Sequence, residues 1–150
     1  MVDKVVVGRP MEILLVEDSR VDARLTIEAL QEGQLKHRLT IVRDGEEAML
    51  FLHQEKWFAQ APRPDLVLLD LNLPRKDGRE VLKEIKADYR LNEIPVIILT
   101  ASQNHKDELR SQMLNVDGYM QKPVDLKQFI ALVRQLKAFW HADVILPTDI

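Results

Sequence analysis

The sequence contains no cysteine, which excludes disulfides, thiolate nucleophiles and cysteine-ligated metals. It has no basic surplus: 21 Lys and Arg stand against 24 Asp and Glu, for a net charge of −3. Nucleic acid is therefore not expected as a partner, because phosphate binding usually shows as excess positive charge. No apolar run approaches the roughly 20 residues needed to cross a bilayer. The start, Met1-Val2-Asp3-Lys4-Val5, lacks the long apolar core of a signal peptide. No membrane partner is expected, and a cytoplasmic location is. Glycine is scarce as well. Gly8, Gly33, Gly45, Gly78 and Gly118 form neither G-x-G nor a phosphate-binding loop, which argues against a flavin- or nucleotide-binding module. His37, His53, His105 and His141 are too scattered for a structural zinc site. Repeats and low-complexity segments are missing, and no linker is long enough to divide two domains.

What remains is a chain of 150 residues, 46% apolar and 30% charged, enough for one domain with a real core. Short apolar runs alternate with helical periodicity. Strands are expected at Glu12 to Val16, Leu39 to Val42, Leu66 to Leu69, Pro95 to Leu99 and Gly118 to Met120. Ser19 reads as the cap of a first helix that Gly33 stops, and Asp44 caps a second. A third helix carries Val81, Leu82 and Ile85. A weak helix spans Asp107 to Leu114, and a long last one runs from Leu126 to Trp140. Strands alternating with helices predict an α/β fold, a doubly wound parallel sheet covered on both faces. The continuous apolar run Leu66-Val67-Leu68-Leu69 suits a central strand.

In such a sheet, ligands bind beyond the carboxyl ends of the strands. The polar residues just past the strands are Glu17 and Asp18, Asp70, Thr100 and Lys122. Each alone has an ordinary explanation as a helix cap, a turn residue or a surface charge. Their coincidence at one sheet edge does not. Three converging carboxylates repel one another, and a hard divalent cation relieves that repulsion. Mg²⁺ takes oxygen ligands and typically uses one or two carboxylates together with a phosphate. Asp70 can then act as a nucleophile and form an aspartyl-phosphate. Lys122 neutralises charge on the transferring group, and the Thr100 hydroxyl donates to a phosphate oxygen.

Leu14-Leu15-Val16-Glu17-Asp18-Ser19, Leu68-Leu69-Asp70-Leu71-Asn72-Leu73-Pro74 with Asp77-Gly78, Leu99-Thr100-Ala101-Ser102, and Tyr119 with Lys122-Pro123 resemble the receiver domains of two-component response regulators. The resemblance runs from about Met11 to Trp140. It implies a flavodoxin-like (βα)5 fold with strand order 2-1-3-4-5. It implies Asp70 as phosphoacceptor, with a histidine kinase's phosphohistidine as donor. Asp18 would ligate Mg²⁺ directly, Glu17 through water, and Asn72 through its backbone carbonyl. Thr100 and Tyr119 match the family's switch pair, and the Lys122-Pro123 bond would be cis. Residues two past the acceptor and two past the switch threonine tune dephosphorylation in this family. Here they are Asn72 and Ser102, and Ser102 has no carboxylate or amide to position a water. The end from Phe139 to Pro147 and the segment around Trp57-Phe58 resemble the cyanobacterial phytochrome-associated response regulators, which stand alone and serve a bilin-binding phytochrome kinase.

The expected organisation is an N-terminal extension (1–10), a receiver domain (11–140) and a C-terminal tail (141–150). The expected role is that of a phosphoacceptor signalling protein, not an enzyme. The enzyme alternative is a haloacid-dehalogenase-like phosphatase using Asp70 as nucleophile. That class needs a second Asp two residues on, where this chain has Asn72, and takes its other acids late in the chain. The last helix carries two apolar rows: Leu126, Ile130 and Val133, and Phe129, Leu132, Leu136 and Phe139. One stripe roughly 100° wide suffices to face a sheet, so the surplus predicts a homodimer through this helix. The competing expectation is that Val144 to Pro147 folds back over it.

Overall fold

The computed structural model describes residues 8–33, 35–100 and 116–136. The chain runs β1 (Met11–Val16), α1 (Arg20–Glu32), β2 (His37–Val42), α2 (Gly45–Leu52), a single 3₁₀ turn (Lys56–Phe58), β3 (Leu66–Asp70), α3 (Gly78–Ala87), β4 (Val96–Thr100), β5 (Gly118–Gln121) and α4 (Leu126–Gln135). The five strands form one parallel sheet in the order β2-β1-β3-β4-β5, as expected. The last helix, expected to run to Trp140, ends at Gln135 with Leu136 as its cap; the helix expected at Asp107 to Leu114, the tuning residue Ser102 and residues 137–150 lie outside the described residues.

Helix starts follow the capping rules. The Ser19, Asp44, Asp77 and Asp125 side chains accept from the backbone N–H of Asp22, Glu47, Arg79 and Lys127 respectively, satisfying donors that a helix leaves unpaired. Side chains alternate across the strands. Leu14, Val16, Val67, Leu69, Val96 and Ile98 face one way, onto α2 and α3. Ile13, Leu15, Leu66, Leu68, Ile97 and Leu99 face the other, onto α1 and α4. The period-2 alternation of a strand thus supplies two cores from the same five segments, and every residue of β3 and β4 is buried. Cutting a core side chain such as Ile85, fully buried on the inner face of α3, to alanine costs about 2–5 kcal/mol.

One expectation about packing needs correction. The two apolar rows of the last helix are largely consumed within the chain. Phe129, Ile130, Val133 and Leu136 are buried. Leu132 packs partly buried against the same core. Leu126 lies over Gly33 at the end of α1, where an added Cβ would come within 2.4 Å of its Cδ1. The helix sits in the angle between the sheet and α1, and that setting takes a wider arc than a helix lying on a sheet alone. Among the described residues, the large apolar side chains that are exposed lie elsewhere: Val21, Leu25, Ile41, Trp57 and Tyr89.

Candidate functional site

Register brings the polar residues together. Leu69 pairs with Val16, so Asp70 ends β3 beside the start of the β1–α1 loop, where Glu17 and Asp18 follow. Asp70 pairs with Leu99, which puts Thr100 one step further out. Thr100 pairs with Gln121, and the backbone N–H of Lys122 then donates to the Thr100 carbonyl at 2.8 Å. The Lys122-Pro123 bond is cis, as the resemblance implied.

Glu17, Asp70 and Thr100 are buried polar residues, whereas Asp18 is exposed. Glu17, Asp18 and Asp70 each offer one oxygen, and the three oxygens lie within 4.8 Å of one another. The Asn72 backbone N–H donates to Asp70 Oδ1 at 3.0 Å and orients that carboxylate. The Ser19 N–H donates to Glu17 Oε2 at 3.3 Å. Glu17 Oε1 is buried without a hydrogen-bond donor in good geometry; its counter-charge is the Lys122 ammonium at 2.6 Å. That ammonium also donates to Asp70 Oδ2 at 2.8 Å and to Asp22 Oδ2 at 3.1 Å.

These placements set the charges. Burial pushes the Glu17 carboxyl up to about 7; Lys122 opposes the shift and Asp70 adds to it. Burial works against the charge on Lys122 too, but the carboxylates of Asp70 and Glu17 outweigh it and hold its pKa above the usual lysine range. The result is a permanent cation set among more carboxylate than it can neutralise. Three acids whose oxygens converge on one point, with only one ammonium among them, form a set of hard oxygen ligands that fits a divalent cation.

The loop after Asp70 folds back onto it. The Gly78 N–H donates to the Leu71 carbonyl at 3.0 Å, and a Cβ on Gly78 would stand 2.3 Å from the Asp70 carbonyl oxygen. Glycine is required there because no side chain fits between helix start and strand end. Beside the acids, a cleft of about 280 Å³ opens between α1 and β2, with Arg20, Arg24 and Arg43 on its walls and Ile27 and Ile41 among its apolar lining.

All the sequence-predicted site residues among Glu17, Asp18, Asp70, Thr100 and Lys122 stand at this one edge. Tyr119 lies on β5 one strand away, partly buried against the α2–α3 core. One residue was missed. Asp22 reads as an ordinary acid in the first turn of a helix, favourable there for the helix dipole alone.

Comparison with known proteins places these features. Residues 13–134 match the family model of the response regulator receiver domain. The chain is 49% identical over 138 residues to the response regulator Rcp1 of Synechocystis sp., covering 92% of this chain and 94% of that one. Among solved structures, the Mn²⁺-bound form of Rcp1 superposes with a TM-score of 0.71 at 48% identity, covering 93% of this chain and 100% of that one. The phosphorylated cyanobacterial phytochrome response regulator RcpA gives 0.72 at 47% identity, covering 93% and 99%.

Proposed function

The chain belongs to the response regulator receiver domain family, and on that footing we propose that it accepts a phosphoryl group on Asp70 from the phosphohistidine of a phytochrome-type sensor kinase, with Mg²⁺ at Glu17, Asp18 and Asp70. The observation that carries this reading is the Asp70 carboxylate, oriented by the Asn72 N–H at 3.0 Å and faced by Lys122 at 2.8 Å. The phosphatase alternative has no support: the receiver match spans the site, and Asn72 stands where that chemistry requires an acid.

An Asp70 oxygen forms the bond to phosphorus as the P–N bond to the donor's imidazole breaks. Lys122, whose charge its carboxylate partners secure, faces the negative phosphoryl oxygens. Asp18 as direct ligand, Glu17 through water and the Asn72 carbonyl would hold the cation, which would neutralise charge on the transferring group. Thr100, buried at the end of β4, is placed to donate its hydroxyl to the new phosphoryl group, and Tyr119 on the neighbouring strand to follow it inward. The chain acts as a phosphoacceptor that signals by its changed surface, not as a turnover enzyme. We place it in the cytoplasm with its donor; no described helix is long and apolar enough to cross a membrane.

The test is labelling with acetyl phosphate and Mg²⁺, read by intact mass. Wild type gains one phosphoryl group and Asp70→Asn gains none; undiminished labelling of the variant would move the acceptor elsewhere. A homodimer through the last helix stays part of the proposal on family habit, since its apolar rows are mostly used internally. Sedimentation of wild type beside Leu132→Asp, at micromolar to millimolar concentration with and without phosphate, decides it. A wild type that is monomeric throughout ends the dimer.

A further inference from the structure

Lys122 carries three ammonium protons, and three carboxylates surround it: Glu17 Oε1 at 2.6 Å, Asp70 Oδ2 at 2.8 Å and Asp22 Oδ2 at 3.1 Å. The three partners are not equivalent. Glu17 and Asp70 are buried and belong to the group of acids that could share a metal ion; Asp22 is part-exposed and does not. The charge on Lys122 is secured by Asp70 and Glu17. Asp22 therefore contributes location rather than charge state. Its carboxylate is also spare as far as its own helix is concerned. The Asp22 N–H is capped by Ser19 Oγ at 3.2 Å, while its side chain reaches across to a lysine 100 residues later.

A phosphoryl group and a cation arriving at the site would take over the oxygens of Asp70 and Glu17. The ammonium would then give up its two inner anchors while the incoming phosphoryl oxygens are not yet fixed, at the moment its position matters. A lysine stem has four carbons and many rotamers, so an unanchored ammonium spends little time in one place. We propose that Asp22 is a positioning residue for phosphoryl transfer: it keeps the Lys122 ammonium at the mouth of the site when Glu17 and Asp70 turn to other partners. The inference rests on the reading of Asp70 as acceptor.

The experiment uses the full chain, acetyl phosphate as donor and saturating Mg²⁺. Asp22→Asn should lower the maximal rate of Asp70 phosphorylation roughly twofold to fivefold, the range of a partly exposed ion pair. The donor concentration for half-maximal rate and the affinity for Mg²⁺ should not move. Asp22→Glu should recover part of the rate. In a Lys122→Ala background, Asp22→Asn should have no further effect, which a merely structural role in α1 would not predict. An unchanged or raised rate in Asp22→Asn, or a loss that persists in full without Lys122, overturns the inference alone. Failure of wild type to take phosphate at Asp70 overturns the acceptor reading and this inference with it.

Discussion

Replacing Glu17 by glutamine should stabilise the metal-free protein and, in the same stroke, weaken its response to Mg²⁺. Glu17 is 2% exposed, and burial raises its carboxyl from 4.5 to about 7. Between those values the folded protein holds a proton that the unfolded chain has released. Its contribution to stability is thus fully present below pH 4.5 and is lost as the pH rises through about 7. A shift of that size corresponds to about 3 kcal/mol. Glutamine keeps the shape and cannot ionise, so the variant should lose this slope. At pH 8 in EDTA it should exceed wild type by about 1–3 kcal/mol, or several degrees in Tm at this chain length.

Mg²⁺ works in the opposite direction. A ligand that binds only the folded state at a hundred times its Kd adds about 2.7 kcal/mol. Wild type should gain this and the variant little of it. Metal binding by wild type should also weaken below about pH 7, where Glu17 takes up its proton. Thermal denaturation of both proteins at pH 5 and pH 8, with EDTA or saturating Mg²⁺, checks all of this at once. A variant less stable than wild type in EDTA at pH 8 would refute the burial argument. Equal stabilisation of both proteins by Mg²⁺ would remove Glu17 from the metal site.

Further outcomes follow from the same geometry. Asp18→Ala should bind Mg²⁺ more weakly and take up phosphate much more slowly, measured by metal titration and acetyl phosphate labelling; wild-type rates and metal dependence would refute its role as direct ligand. Thr100→Ala should still be labelled at Asp70, yet the phosphorylated variant should bind its partner no better than the unphosphorylated form; a wild-type response would take Thr100 out of the switch. Gly78→Ala forces a Cβ toward the Asp70 carbonyl and should cost about 1–3 kcal/mol by chemical denaturation, with slower phosphate uptake in the fraction still folded.

The strands and the site edge were legible because they depend on patterns that a linear sequence carries, whereas the strand order came with the family resemblance. Apolar runs such as Leu66 to Leu69 mark buried strands, and parallel topology then aligns the residues that follow each one. Ser19, Asp44, Asp77 and Asp125 cap helices for reasons local to a single turn. Gly78 was visible as part of a motif. Its physical cause, a backbone approach too close for any Cβ, emerged only from the fold.

The last helix shows why counting apolar positions fell short. Against a single neighbour, the sheet, the second of its two rows is surplus. In the fold, α4 has two neighbours. Phe129, Val133 and Leu136 join the core beneath the sheet, while Leu126 closes over Gly33 of α1. Periodicity gives the width of an apolar arc but not the number of surfaces it meets. Asp22 was hidden by the opposite error. A first-turn acid has a sufficient local explanation, so nothing in the sequence prompts a search for a partner 100 residues away. The reach of a lysine side chain, rather than any sequence pattern, brings that pair together. Residues that act through long side chains across two βα loops are therefore the ones that sequence reading loses first.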